Sequence, residues 1–75
     1  MTEKQIDLAE EIADCIVVDI DFYDPNCYEE SDRRIYAKGY CSALVIRDEI
    51  EPSDAYDIIE KAIAISIERR PYENI

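Results

Sequence analysis

The sequence has no histidine, one glycine, three prolines and three cysteines, and its eight Lys and Arg are outnumbered by nineteen Asp and Glu. Each shortage excludes something. Without histidine, the usual base that activates a Ser or Cys nucleophile is missing. Zinc sites built from Cys and His are excluded too, because only Cys15, Cys27 and Cys41 are available, and they are too scattered to form a C-x-x-C pair. With so little glycine and no Ser-rich stretch there is no linker, so residues 1–75 read as one small domain. No apolar run approaches the ~20 residues that span a bilayer, and the polar residues after Met1 predict no secretory leader. The expected setting is a reducing cytoplasm, with the cysteines serving as small apolar core groups.

What the chain has in excess is negative charge. The formal net charge is -11 on 75 residues, while the hydrophobic fraction of 48% is high enough for a real core. Direct binding of DNA, RNA or an anionic membrane is disfavoured, because affinity for phosphate comes from Lys and Arg displacing counterions. The expected partner is therefore basic. The charge is unevenly placed: residues 1–32 carry -10, residues 33–47 carry +4 with no acid, residues 48–60 carry -6, and residues 61–75 carry +1. Alternation of this kind also fits internal complementarity between neighbouring elements.

Apolar spacing predicts three helices. Thr2 with Gln5 three residues later has the form of a capping box. After it, Ile6, Ala9, Ala13, Ile16, Ile20 and Tyr23 form one stripe, with Leu8, Ile12 and Cys15 beside it. A helix is expected over about 3–20, with Glu3, Asp7, Glu10 and Asp14 on its opposite side. Residues 15–23 are rich in β-branched side chains, and strand is the alternative there. Asp24-Pro25-Asn26 is a break. A new helix starts at Pro25 or is capped by Ser31 or Asp32, and is expected over about 31–48 with Ile35, Gly39, Ser42 and Ile46 as its stripe, flanked by Tyr36, Tyr40, Ala43 and Leu44. Glu51-Pro52-Ser53 opens a third, over about 53–70, with Glu51 or Ser53 as cap. Its stripe is Tyr56, Ile59, Ile63 and Ile67, joined by Ala55, Ile58, Ala62 and Ile65, and Pro71 ends it. The fold class is all-α, a small three-helix bundle. Because the third helix is apolar on more than one face, Ile59, Ile63 and Ile67 are candidates for a dimer contact or a partner groove.

Among candidate sites, Cys41 near Lys38 is the one cysteine with a cation close in sequence, although a buried inert thiol is the plainer reading. Asp19, Asp21, Asp24, Glu29 and Glu30 bring hard oxygens near one turn. Counted as a calcium loop from Asp19, however, the sixth position is Asp24 where glycine is wanted, and only Glu30 at the twelfth matches. Glu10-Glu11-x-x-Asp14 and Asp57-x-x-Glu60 faintly resemble the magnesium motifs of the all-helical MazG-type nucleotide pyrophosphatases, in degenerate form and with few basic residues for phosphates. A helix-turn-helix reading with residues 53–70 as recognition helix fails on electrostatics, since Asp54 and Asp57 would face phosphates. No metal, cofactor or enzymatic activity is expected.

The acidic face of the first helix remains. Carboxylates at i, i+3 and i+4 stand roughly 5–6 Å apart at Cβ, on the scale of neighbouring phosphates along a DNA strand. Glu3, Asp7, Glu10, Glu11 and Asp14, continued by Asp21 and Asp24, could therefore imitate a nucleic-acid backbone toward a Lys- and Arg-lined groove. The stretch Ala37-Lys-Gly-Tyr-Cys-Ser-Ala-Leu-Val-Ile-Arg-Asp-Glu-Ile-Glu-Pro-Ser-Asp-Ala-Tyr resembles a helical-hairpin pattern of short bacteriophage and mobile-element proteins, G-Y-x-x-A-L, an acidic turn, then S/T-x-x-x-Y, which is one residue shorter here as Ser53-x-x-Tyr56. In size, charge and architecture the chain is similar to small acidic anti-CRISPR and other anti-defence inhibitors, and no functional residues carry over from them. That resemblance implies an inhibitor occupying the nucleic-acid-binding surface of a host complex. The alternative is a structural or regulatory homodimerisation module of a phage or mobile element without DNA mimicry.

Overall fold

A computed structural model describes residues 1–22 and 30–69 of the chain, with side chains for 1–19 and 30–69. Three α-helices are present: α1 over Glu3–Ile16, α2 over Glu30–Ile46 and α3 over Pro52–Glu68. α1 runs on without a break into a π-helical segment over Val17–Phe22. The architecture is the expected all-α three-helix bundle, and there is no strand among the described residues. Nor, among them, is any helix long and apolar enough to cross a membrane.

The start of α1 is held by the predicted capping box. The Thr2 hydroxyl accepts from the Gln5 backbone N–H at 3.2 Å, and the Gln5 side chain accepts from the Thr2 N–H at 3.0 Å. Two of the four N–H groups that a helix start leaves unsatisfied are thereby bonded. Removing the hydroxyl with Thr2→Ala is expected to cost about 1 kcal/mol and lower the melting temperature by about 5 °C, as read by circular dichroism.

Beyond Ile16 the chain is helical, not extended. Val17 and Val18 are β-branched, which lowers helix propensity, yet over Val17–Phe22 the chain is π-helical and does not leave the helical region. Tyr23 and the break at 24–26 lie outside the described residues.

α2 begins at Glu30, so Ser31 and Asp32 sit inside the helix and neither is its cap. Its C-terminus is closed by backbone alone. Asp48 adopts a left-handed φ of 58°, its N–H donates to the Val45 carbonyl at 3.0 Å, and the Glu49 N–H donates to the Leu44 carbonyl at 2.9 Å. This is a Schellman closure with Asp where Gly is commonest, and the short polar side chain of Asp tolerates that conformation. α3 starts at Pro52, whose missing N–H costs nothing in a first turn. Glu51 occupies the cap position without a side-chain bond, and Ser53 lies within the helix.

α3 is the central element and packs on both α1 and α2. From α1 the core takes Ala9, Ile12, Ala13 and Ile16, and from α3 Ile58, Ile59, Ala62, Ile63 and Ile65. The alanines let the backbones approach closely while the isoleucines fill the space between them. Ser66, fully buried on the same face, satisfies its hydroxyl by donating to the Ile63 carbonyl at 2.8 Å. Tyr56, expected in the α3 stripe, points out and is 67% exposed.

α2 turns the other way from expectation. Ile35, Gly39, Ser42 and Ile46 all face solvent, with Ile35 at 69% and Ile46 at 81% exposure. The inward face is Arg33, Ala37, Cys41 and Leu44, with Tyr36 and Tyr40 half-buried beside it. Both faces of α2 have helical spacing, so periodicity does not choose between them. Area does: Gly39 and Ser42 offer little apolar surface, whereas two tyrosines, a leucine and a cysteine offer a good deal.

Candidate protein-binding face

The outer side of α1 carries the acids expected of it. Glu3, Asp7, Glu11 and Asp14 are exposed and Glu10 is half-exposed. Glu3, Asp7 and Glu11 follow one another at four-residue steps, about 6 Å along the axis. The side chain of Asp21, and Asp24 altogether, lie outside the described residues.

The face is not purely acidic. Leu8, Cys15 and Val18 form the floor of an open hollow of about 690 Å³, bordered by Asp7, Glu11, Asp14 and Asp19. Val18 is 53% exposed and stands three residues on from Cys15, on the same side of the helix beside Asp19. Periodicity placed Leu8 and Cys15 in an apolar stripe but gave no sign that they, with Val18 one turn on, stay open to solvent. The far end of the face is tied down by the Tyr36 hydroxyl of α2, which donates to the Asp19 carboxylate. Burial and that carboxylate together push the Tyr36 phenol well above its ordinary value.

One side of the acid row is partly neutralised from the other end of the chain. Arg69, just past α3, donates to Asp14 at 2.7 Å and approaches Glu10 at 3.9 Å. The pairs are solvent-exposed and each is worth no more than about 1 kcal/mol. They matter for geometry, because they move the unneutralised charge toward Glu3, Asp7 and Glu11. Among the described residues those three take part in no ion pair. Arg34 of α2 plays a similar internal part, bridging Glu60 at 2.6 Å and Glu30 at 2.9 Å.

Burial, and then the nearby Asp19, Glu11 and Asp14, push the Cys15 thiol up, and burial alone pushes up Cys41. Both described thiols are held in the neutral form, so Lys38 does not make a thiolate of Cys41. Cys27 lies outside the described residues. Among the described residues no cluster of three or more acids or cysteines is arranged to hold a metal ion. Of the pyrophosphatase-like set, Glu10 and Asp14 are engaged by Arg69 and Glu60 by Arg34. Most of the calcium-loop-like run falls outside the described residues.

The structure uses the third-helix candidates within the chain. Ile59 and Ile63 are buried in the core between the helices, and Ile67 is half-buried at its edge. Ile59 and Ile63 are thus covered within one chain, whereas Tyr56 of the same helix, Ile35, Ile46 and Val18 are exposed. Arg33 was not legible as a core residue, yet its side chain is fully buried at the start of α2. No protein-family model, curated protein or solved structure matches this chain.

Proposed function

We propose that this chain is an acidic inhibitor that occupies a basic, nucleic-acid-binding surface on another protein, using the outer face of α1. The observation that carries the reading is the row Glu3, Asp7 and Glu11, exposed at one-turn spacing, unneutralised among the described residues, and set beside the apolar hollow of Leu8, Cys15 and Val18. A Lys- or Arg-lined groove matches the row in charge and step, as it matches a run of phosphates. The hollow adds what a nucleic acid lacks, a place for an apolar side chain between the cations, and this favours protein over any other basic partner. In size and charge this is the manner of small phage proteins that block host defence or nucleic-acid-processing complexes, and no catalytic step is needed.

The test is a tagged pull-down from bacterial lysate at low and high salt, with captured proteins identified by mass spectrometry, followed by titration of the captured protein. Reversing two of the unneutralised acids, Asp7→Lys with Glu11→Lys, should weaken binding on the order of 100-fold and flatten its salt dependence. Both side chains are exposed, so the melting temperature should not fall. Unchanged affinity in the double variant, or capture that high salt does not release, would sink the reading.

A further inference from the structure

The outward face of α2 is an interaction surface that the acidic-inhibitor reading does not use. Ile35, Gly39, Ser42 and Ile46 lie along it at steps of four, three and four, the repeat with which one helix packs on another. Among the described residues nothing covers Ile35 or Ile46, the latter 81% exposed. Gly39 sits mid-helix, where glycine weakens a helix relative to alanine, and a Cβ placed there would meet no atom within 4 Å. The described residues give no reason for that glycine. A second helix crossing close to the backbone at Gly39 does.

We propose that α2 pairs with α2 of a second copy, antiparallel, about a two-fold axis passing between Tyr40 and Cys41. A two-fold contact must be complementary to itself, and this seam is: Ile-x-x-x-Gly-x-x-Ser-x-x-x-Ile has the same spacing in both directions. The antiparallel register sets Ile35 against the partner's Ile46 and Gly39 against the partner's Ser42, large on large at the ends and small on small at the crossing. Beside Ile46 lies a hollow of about 440 Å³ whose walls include Val45, Pro52, Ala55 and Ile59. The opposing isoleucine is delivered to it, once on each side of the axis.

Charge selects this face for self-contact over the rest of the surface. The chain carries -11, so two copies meeting elsewhere bring acid against acid, whereas residues 33–47 contain no acid. Nor is the band strongly repulsive toward itself, because Arg34 is held by Glu30 and Glu60 and Arg47 by Glu49. Lys38 is the cation that remains on the seam. Pairing through α2 leaves the acidic faces of both α1 helices outward, which gives a dimer two equivalent faces for a multivalent target.

The test is sedimentation equilibrium of the full chain from micromolar to millimolar concentration, with reductant present so that no disulfide imitates association. A reversible monomer–dimer equilibrium is expected. Ile35→Lys and Ile46→Lys should each weaken it on the order of 100-fold, with circular dichroism unchanged because both positions are exposed. Combining Ile35→Lys with Ile46→Glu should restore much of the association, since the antiparallel register opposes the two new charges. Tyr56→Lys, exposed and off the seam, should leave it intact. A wild-type chain that stays monomeric throughout, a dimer indifferent to both single lysine changes, or assembly larger than a dimer would overturn the proposal.

Discussion

Replacing Ile63 by Asp will leave the chain unfolded at room temperature, while the same replacement at Ile46 will leave the folded monomer almost unchanged. Ile63 is 4% exposed in the core between the helices, and Ile46 is 81% exposed. Truncating a buried isoleucine costs about 2–5 kcal/mol through lost transfer energy and the cavity left behind. An aspartate there adds either a desolvated charge or the work of protonating it, several kcal/mol more. A domain of this size has only about 5 kcal/mol of stability to lose. At Ile46 no packing is removed, and surface changes usually stay within about 0.5 kcal/mol. Far-ultraviolet circular dichroism and thermal melts at low concentration read the contrast directly. A helical, cooperative melt for Ile63→Asp would show that α3 is not the packed centre of the bundle. The contrast also bears on assembly: lost association in an Ile63 or Ile67 variant would report unfolding, whereas loss at Ile46 reports a contact.

What the sequence made legible follows the range of each interaction. The capping box of Thr2 and Gln5, Glu51 as one of the two caps expected for α3, and the core isoleucines and alanines of α1 and α3, though not Tyr56, depend on residues within a few turns of one another and are where periodicity and capping rules place them. The exposed acids of α1 were legible for the same reason. The orientation of α2 was not, because two helical stripes compete there and only contact with α3 decides between them. The burial of Arg33 and the closure of Asp14 by Arg69, 55 residues away, are tertiary facts with no local signature. The hollow above Leu8, Cys15 and Val18 requires that the rest of the bundle leave those side chains uncovered, which no local pattern states. The candidate site is thus half legible: its charges are a property of the sequence, and its apolar floor is a property of the fold.

Alkaline pH will unfold this protein earlier than its helix content suggests. The groups whose proton affinities the fold alters in that range shift in one direction: Tyr36, Tyr40, Cys15 and Cys41 are all raised, in each case with burial as the largest cause. For Tyr36 the carboxylate of Asp19 adds to the effect, and for Cys15 the neighbours Asp19, Glu11 and Asp14 do. A group that holds its proton more tightly when folded contributes fully below its unfolded value. That contribution is lost as pH rises toward the folded value, because the unfolded chain releases the proton first. The loss therefore begins near 9.0, the ordinary thiol value, and steepens past 10.0, the ordinary phenol value. Each group sets a limit of about 1.4 kcal/mol per pH unit. Cys15, Tyr36 and Tyr40 are only half-buried, so solvent screening keeps their contributions below that limit. Melting temperatures measured from about pH 8 to 11 should fall steeply over the upper half of that range. Tyr36→Phe separates the causes: it forfeits the bond to Asp19 and melts lower at neutral pH, yet loses less on the way up. A melting temperature level to the top of the range, or a Tyr36→Phe profile parallel to wild type, would mean that the Tyr36–Asp19 contact does not anchor α2 to the end of the acidic face.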